Sequence, residues 1–260
     1  MRHFSLLGLS LFSLLLSTAM PAHAFKLIPL SRVFSPTGPN AVQSYEIENN
    51  TGEPLAVELN IVKREMSLQG VDKLIPANDD FMIYPPQILL QTGESQTVRV
   101  TWLGDPKPAQ ELAYRLIAEQ LPINLAPTGG TASEAPTKSG FNTSIKIKMR
   151  YQGSIYIRPS QAQPNVVIER IEPKMENGKS ILAITLQNQG SARANLKEGQ
   201  LQLKVGTQDR SIVTLTAAQM GLNERPTLLA KQQRQILIPY PTGLAQGEIL
   251  GTLTLPYQKR

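Results

Sequence analysis

The stretch with the clearest capacity for recognition chemistry is T-S-I-K-I-K-M-R-Y-Q-G-S-I-Y-I-R-P, which runs from Thr143 to Pro159. In it, three apolar side chains alternate with three cations: Ile145, Lys146, Ile147, Lys148, Met149 and Arg150. A strict period of two puts the apolar side chains on one face of an extended strand and the cations on the other. Such a strand can fill a hydrophobic groove, and its free backbone groups can pair with another chain. The alternative is that the apolar row only covers the core of its own domain.

Catalytic chemistry is restricted by two missing residue types. Both histidines, His3 and His23, precede residue 25, and the chain has no cysteine. If the mature chain begins at Phe25, it lacks the residues for Cys-His pairs, Ser-His-Asp triads, disulfides and His or thiolate metal sites. Two carboxylates could still hydrolyse a glycoside, but the acidic residues are spread over strand faces and turns. We therefore predict no enzyme, no metal site and no cofactor, and keep a carbohydrate-active β-sandwich as an alternative.

The first 24 residues have the pattern of a signal peptide. A short basic start at Arg2 is followed by an apolar run, Leu6 to Leu16, and by the small-x-small site Ala22-His23-Ala24. The run is shorter than the roughly 20 residues that a bilayer-spanning helix needs, and no later stretch approaches that length. We predict cleavage after Ala24 and an exported, soluble chain that does not span the membrane. Loss of Arg2 lowers the formal charge from +6 to +5, which favours acidic partners or simply solubility.

The mature chain is predicted to form short strands around the Thr143–Pro159 stretch, which is called the organising strand below. In the first half these are Leu27–Phe34, bent at Pro29, Val42–Glu48, Leu55–Arg64, Phe81–Tyr84, Val98–Trp102 with Trp102 in the core, and Leu112–Leu121. A helix is the alternative for the last of these, because Glu111 and Arg115 stand at i,i+4, but its strand-rich surroundings favour a strand. Pro122–Ser139 is rich in Pro, Gly, Ser and Thr and predicts a long, mobile loop.

The second half of the chain, after Arg158-Pro159, is also predicted to consist of short strands. Strands are predicted over Val166–Ile171, Ile181–Gln187, Leu201–Val205, Ile212–Thr216, Gln235–Ile238 and Glu248–Leu255. The Asn177-Gly178 pair between the first two is typical of a β-hairpin turn. The sequence therefore predicts an all-β chain of two sandwiches, with boundaries at 1–24, 25–158 and 159–260.

Three segments carry a resemblance to a known family. They are F-M-I-Y-P-P-Q-I-L-L-Q-T-G-E-S-Q-T-V-R-V-T-W at Phe81–Trp102, E-L-A-Y-R-L-I-A-E-Q-L-P at Glu111–Pro122, and I-K-I-K-M-R-Y-Q-G-S-I-Y-I-R-P at Ile145–Pro159. In this order behind a signal peptide, they resemble periplasmic pilus-assembly chaperones of the chaperone-usher pathway, the PapD-like superfamily. The wording Y-R-L-I-A-E-Q-L-P is most similar to the archaic branch. The resemblance covers the first domain well and the second only by its strand pattern.

The resemblance implies two immunoglobulin-like β-sandwich domains in a boomerang arrangement. It also implies a periplasmic chaperone for fimbrium biogenesis and cell wall organization. Such a chaperone stabilises pilus subunits by donor-strand complementation and delivers them to an outer-membrane usher, without binding nucleic acid. The donor-strand positions of the family match Ile145, Ile147 and Met149. A pilus subunit or adhesin-like structural protein is the alternative, but it would have one incomplete domain and a free N-terminal donor strand.

The resemblance further implies a basic anchor for the C-terminal carboxylate of the subunit. The better-known branch uses an arginine at the end of the first strand and a lysine late on the organising strand. Arg32 matches the arginine if the spacing is shortened by one residue, whereas Ser154 stands where the lysine would be. Arg115 and Arg99 lie in the matching motifs and are further candidates, although each could instead be solvated or ion-paired. Arg158 is expected at the domain junction.

Overall fold

The computed structural model of the protein describes residues 24–77, 79–122, 148–206, 212–224 and 226–256. Within these ranges the first domain contains a 3-10 helix (Pro39–Ala41) and the strands β1 (Lys26–Ile28), β2 (Ser31–Phe34), β3 (Val42–Glu48), β4 (Leu55–Met66), β5 (Asp72–Pro76), β6 (Phe81–Tyr84), β7 (Gln87–Leu90), β8 (Ser95–Trp102), β9 (Leu112–Gln120) and β10 (Arg150–Ile157). The second domain contains β11 (Val166–Glu176), β12 (Lys179–Asn188), β13 (Ala194–Asn195), β14 (Gln200–Val205), β15 (Ile212–Thr216), β16 (Thr227–Leu228), β17 (Gln233–Pro239) and β18 (Ile249–Thr254). The predicted all-β class is confirmed.

Two sheets face each other in the first domain. One has the strand order β1-β3-β8-β6, and the other has the order β2-β10-β9-β4-β5 with β7 also paired to β4. The first predicted strand is divided at Pro29, so β1 pairs with β3 in one sheet and β2 with β10 in the other. The long strand β4 and its hairpin partner β5 are antiparallel neighbours.

Aromatic rings fill the core between these sheets. The Phe81 ring centroid lies 4.9 Å from that of Tyr114, 5.0 Å from that of Trp102 and 6.1 Å from that of Phe34, all in edge-to-face arrangements. Trp102 is buried, as predicted from its place in the alternation of β8. Such pairs add specific geometry to the burial of large apolar surfaces.

Aliphatic side chains dominate the core of the second domain. It is built from the sheets β11-β12-β17 and β15-β14-β18, together with the short pair β13-β16. Leu182, Ile184, Leu186, Leu201 and Leu203 are completely or almost completely buried, and they come from one strand of each larger sheet. The alternation of β12 and β14 therefore produces two apolar faces that pack on each other.

One buried asparagine in each domain has the same role at the end of a strand. The Asn49 amide nitrogen donates to the carbonyls of Glu53, Leu90 and Gln91, at 3.0, 3.2 and 3.1 Å. The Asn188 amide nitrogen donates to three carbonyls in the same way, at 2.8, 3.2 and 3.2 Å. Both asparagines are fully buried, so each amide satisfies backbone carbonyls that are buried or partly buried.

Several local predictions can be compared with these strands. The segment with a helical alternative is strand β9, and Asn177-Gly178 forms the turn between β11 and β12 with both φ angles positive, at 48° and 73°. Such a pair of angles requires a turn rich in Asn and Gly. The predictions for residues 1–23, for most of Pro122–Ser139, and for Ile145 and Ile147 lie outside the described residues.

The organising strand begins later than predicted within the described part of the chain. Lys148 and Met149 precede β10, which starts at Arg150. The reason is local: the Met149 amide donates to the side-chain oxygen of Gln120 at 3.4 Å, while the Met149 carbonyl accepts from the Gln120 amide at 3.0 Å. A side chain therefore replaces one backbone partner at this point.

Candidate functional site

Strand β10 is paired along its whole length on one side and along only half of it on the other. It runs antiparallel to β9, from Arg150 opposite Glu119 to Ile157 opposite Leu112. On the other side, β2 pairs with it in parallel from Ser154 onward. Among the strands that the structure describes, none covers this edge between Arg150 and Gly153. Within the described residues, the backbone groups of that half have no strand partner on this side, as in the edge strands that can pair with another chain.

The two faces of β10 have different surroundings. Ile155 and Ile157 are fully buried in the core of the first domain, and the Tyr151 ring packs edge-on against Phe25 with centroids 4.6 Å apart. Met149 is half-buried against the same core. Side chains of the other parity line a cleft on the opposite face: Gln152, Ser154 and Tyr156.

The cleft has a volume of about 460 Å³ and lies between the two domains. The second domain contributes Glu224, Pro226 and Thr227 to its wall. The first domain contributes charged and hydroxyl side chains from four strands: Arg64, Asp72, Arg115, Ser154 and Tyr156. The register explains this meeting, because Arg115 is opposite Ser154 on one side and opposite Val62 on the other. Residues that lie opposite each other on neighbouring strands have their side chains on the same face of the sheet.

Asp72 holds both arginines of the cleft. Arg64 Nε donates to Asp72 Oδ1 at 2.7 Å, and Arg115 donates to Oδ2 through Nη2 at 2.7 Å and Nε at 3.0 Å. Arg115 Nη1 also donates to Ser154 Oγ, and Arg64 Nη1 donates to the Tyr156 hydroxyl at 3.2 Å. Two guanidinium groups therefore converge on a single carboxylate, and each of them also donates to one hydroxyl group of β10. Charge-assisted bonds of this kind are stronger than neutral ones.

The electrostatics of this cluster favour anions. Burial alone would raise the pKa of Asp72, but hydrogen bonds and charge from Arg115 and Arg64 outweigh it and lower the pKa below its usual value. The two arginines and Asp72 together carry one net positive charge. Glu224, from the second domain, is exposed at the wall of the cleft, where its charge is largely screened by water. The two guanidinium groups of the cluster can therefore bind a carboxylate group.

The three anchor candidates do not lie together. Arg115 lies in the cleft, whereas Arg32 turns to the neighbouring sheet, where its Nη2 donates to the Ser44 carbonyl at 3.0 Å. Arg32 Nε is buried and has no hydrogen-bond partner in the described part of the structure. Arg99 is exposed on β8, opposite Ser44, in the sheet that does not contain β10. Only Arg115 of the three lines the cleft beside β10.

Arg158 lies at the junction between the domains, bonded through Nε to the Glu111 carboxylate. Arg193, from the second domain, donates to the same carboxylate from its backbone amide at 3.1 Å and from Nη1 at 2.8 Å. The Arg193 guanidinium also lies over the Tyr156 ring, 3.5 Å from its centroid. The Glu111 side chain is only 1% exposed, so a buried charge is compensated from both domains.

The two described cations at the start of the organising strand are paired within the first domain. Lys148 and Arg150 both bind the carboxylate of Glu119 on β9, the latter at 3.7 Å from Nε. The hydrogen bond from Lys148 lowers the pKa of Glu119 despite some desolvation. All three side chains are substantially exposed, and such pairs contribute little to stability.

Sequence reasoning missed Arg64 and Asp72, which complete the cleft, and Glu111 with Arg193, which complete the junction. Their signals are weak, because each is one charged residue in or beside a strand and the pairing register brings them together. No group of three metal-ligating side chains is present among the described residues. In that same part of the chain, no helix has the length and hydrophobicity to cross a bilayer.

The described residues thus form a two-domain protein with two β-sandwiches, a strand edge that no described strand covers, and a cationic cleft between the sandwiches. The chain belongs to the pili and flagellar-assembly chaperone family, whose PapD N-terminal domain matches residues 30–163. This confirms the resemblance seen in the three sequence segments. No curated protein sequence matches the chain.

Solved structures of fimbrial chaperones have a similar fold. The class 5 fimbriae chaperone CfaA is 15% identical, with a TM-score of 0.55 over 90% of this chain and 100% of that chain. A chaperone-tip adhesin complex of CFA/I fimbriae biogenesis gives the same values. The CsuC-CsuE chaperone-tip adhesion subunit complex, from the archaic chaperone-usher Csu pili of Acinetobacter baumannii, is 15% identical, with a TM-score of 0.53 over 88% and 97% of the two chains. At these identities the similarity establishes the two-domain β-sandwich fold.

Proposed function

We propose that this protein is a non-enzymatic chaperone that binds pilus subunits by donor-strand complementation and delivers them to an outer-membrane usher. Its family and its two-sandwich fold support this function. The observation that carries the proposal is the open edge of β10 between Arg150 and Gly153. A sandwich that lacks one strand can complete its sheet on such an edge, with backbone hydrogen bonds giving affinity and alternate side chains giving specificity.

The donor segment is proposed to extend from this edge toward the N-terminus. Ile145 and Ile147 have the same odd-numbered parity in the sequence as Met149, and Met149 borders the apolar core of the first domain. Continued as a strand, the three side chains form one row that can enter a partner's groove. Each would contribute about 1.5 to 3 kcal/mol when fully buried. The pairing of β10 within the first domain would hold the C-terminal end of this donor segment in place.

The anchor for a subunit's terminal carboxylate is proposed to be Arg115, supported by Arg64. Arg115 lies next to Ser154 on the strand that carries the open edge, and both arginines line the cleft. This revises the order suggested by the sequence, in which Arg32 came first. The guanidinium of Arg32 turns to Ser44 in the opposing sheet and not to the cleft.

The proposed domain boundaries are 25–158 and 159–260, because β10 ends at Ile157 and β11 begins at Val166. The proposed compartment is the periplasm, reached by removal of residues 1–24. The family is periplasmic, and the Ala22-His23-Ala24 site supports this cleavage. The wording Y-R-L-I-A-E-Q-L-P favours the archaic branch, to which the Csu complex of similar fold also belongs.

The direct test is co-purification. The full chain with a C-terminal affinity tag is expressed in the source bacterium, and the periplasmic fraction is purified under native conditions. We expect an equimolar complex with a small β-rich protein that mass spectrometry identifies as a pilus subunit. A tagged chain that is recovered alone, or only with a sugar, contradicts the proposal. N-terminal sequencing of the same material tests whether the mature chain starts at Phe25.

A further inference from the structure

The three charged residues that the first domain contributes to the cleft differ in how the sheet holds them. Arg115 lies on β9, which is paired with β10 on one side and β4 on the other. Arg64 lies on β4, between β9 and β5. Asp72 is the first residue of β5, which pairs only with β4 within the described structure. The arginines therefore lie on interior strands, whereas the carboxylate lies on a strand that is paired on one side only within the described structure.

Each arginine of the cleft has a second hydrogen-bond partner besides Asp72. Arg64 is 7% and Arg115 is 18% exposed at the side chain, and each is also bonded to a hydroxyl of β10, Tyr156 or Ser154. A carboxylate at the place of Asp72 meets donors that are already oriented. The cleft of about 460 Å³ in front of it has room for the end of a peptide.

Charge favours exchange of carboxylates over addition of a second one. Two carboxylates that share one site repel each other, and one is then forced to take up a proton or to leave. Asp72 is 23% exposed at the side chain, so it can return to water at a smaller cost than a fully buried acid. An arriving carboxylate that binds Arg115 directly would take over the bonds at Oδ2 first, because this oxygen accepts from Arg115 alone.

Movement of Asp72 would also affect the contact between the β4–β5 hairpin and the second domain. The hairpin that joins β4 to β5 touches β17 at its tip, where the Gln235 amide donates to the Leu68 carbonyl at 2.6 Å. The Met66 amide donates to Gln232 Oε1 at 2.9 Å. Asp72 lies opposite Met66 in the hairpin. The ion pairs of Asp72 therefore stabilise the positions of the two arginines. They also stabilise the hairpin that contacts the second domain.

We propose that the cleft is an exchangeable carboxylate site, in which Asp72 occupies in the free protein the place that a partner's terminal carboxylate takes on binding. Asp72 is thus a specificity-determining residue: it keeps the two arginines paired until a carboxylate competes for them. Its release loosens the hairpin contact with the second domain. The identity of the partner rests on the proposed function, but the exchange itself does not.

Chemical rescue tests the exchange without any pilus subunit. Removal of the carboxylate in Asp72→Ala should lower Tm by about 3 to 6 °C, as expected when a partly exposed ion pair is broken in a chain of this size. Sodium acetate should restore about half of this loss by binding at the vacant place. Sodium chloride at equal ionic strength and neutral acetamide should not. The matched control is Glu65→Ala, which removes an exposed acid from the same hairpin.

The double variant D72A/R115A tests whether acetate acts at this cleft. Acetate should not raise the Tm of this variant, because Arg115 is missing. Equal effects of acetate and chloride on Asp72→Ala would overturn the proposal, as would equal rescue of the double variant. Should Asp72→Ala fail to fold, the same titration on Asp72→Ser decides, because the shorter serine side chain also leaves space for acetate beside the two arginines.

Subunit binding provides the second measurement. Asp72→Asn should bind a co-purified pilus subunit about three- to tenfold more tightly than the wild-type chain, because an internal competitor is removed. Weaker binding by this variant would show that Asp72 orients the arginines and does not compete. If the wild-type chain binds no subunit while acetate rescue holds, the proposed function fails and the exchangeable site stands.

Discussion

Glu111 and Arg193 lie in different domains and are joined by two hydrogen bonds, one from the Arg193 backbone amide and one from its guanidinium, at 3.1 and 2.8 Å. Because the backbone amide takes part, the contact fixes the position of the chain at Arg193 as well as its side chain. The same guanidinium covers Tyr156, whose hydroxyl reaches Arg64 in the cleft. One aromatic side chain therefore connects the domain junction with the cationic cleft.

The first prediction concerns this junction. Glu111→Ala removes the shared acceptor of Arg158 and Arg193 and should lower the free energy of unfolding by about 1 to 3 kcal/mol. Loss of one partner of a fully buried pair costs about 3 to 5 kcal/mol, but the arginines left behind are 30% and 22% exposed. Urea denaturation followed by circular dichroism measures the change. Glu172→Ala, at an exposed pair, is the control and should cost about 1 kcal/mol or less.

The second prediction concerns acid stability. The pKa of Asp72 is lowered in the folded protein, so its ion pairs stabilise the fold fully above the ordinary pKa of about 3.9. This stabilisation is lost as the pH falls through the lower folded pKa, because the protonated acid no longer pairs with Arg64 and Arg115. The Tm difference between the wild-type chain and Asp72→Asn should therefore be constant near pH 7 and shrink toward zero below pH 3. A difference that does not change with pH contradicts this account.

The third prediction concerns the anchor. Arg115→Gln should weaken subunit binding about ten- to a hundredfold, since a charge-assisted bond contributes about 1.5 to 3 kcal/mol. Arg99→Gln is the matched control, because Arg99 is exposed on the other sheet, and it should bind as the wild-type chain does. Surface plasmon resonance with an immobilised subunit gives the affinities. Equal losses in the two variants would show that general positive charge, and not the cleft, attracts the subunit.

The fourth prediction concerns the buried asparagines. Asn188→Ala leaves three buried carbonyls without the amide donor that now reaches them, so the second domain should lose about 1 to 3 kcal/mol of stability. Asn49→Ala should do the same in the first domain. Asn195→Ala, at an exposed position, is the control with little expected effect. Calorimetry of the three variants measures these losses of stability. An Asn188→Ala variant with wild-type stability would refute the assigned role.

Much of the fold follows from the sequence because the period of two survives in most strands. Val98, Val100 and Trp102 alternate with polar residues and are all buried. Asn177-Gly178 fixes one hairpin by its positive φ angles. In β9, the helical spacing of Glu111 and Arg115 competes with this signal, and the neighbouring strands decide in favour of the sheet.

The site was only partly predictable, because register and parity decide which charges meet. Arg115 and Ser154 are far apart in the chain and become neighbours because β9 and β10 pair with Arg115 opposite Ser154. Arg32 is close to β10 as well, but its side chain has the parity of the opposite face and reaches Ser44. Asp72 stands in no motif, and the hairpin of β4 and β5 alone brings it to the arginines.

The central claim is that the apolar row of the organising strand enters a pilus subunit. Ile147→Asp tests it most directly, because a buried, unpaired carboxylate costs more than a lost methyl contact. Two quantities are measured on one preparation: the amount of subunit that co-purifies and the Tm of the free chaperone. The matched control is Lys148→Asp, on the cationic side of the same segment, which should keep most of the binding.

We predict that Ile147→Asp is exported and folded, with a Tm within about 2 °C of the wild-type value, as expected for substitutions away from a core. Its affinity for the subunit should fall more than tenfold, which corresponds to a loss of more than about 1.4 kcal/mol, and much less subunit should co-purify. The opposite result is a Tm lowered by many degrees with subunit binding retained by the folded fraction. That outcome would mean that Ile147 belongs to the core of its own domain, and it would contradict donor-strand binding through this segment.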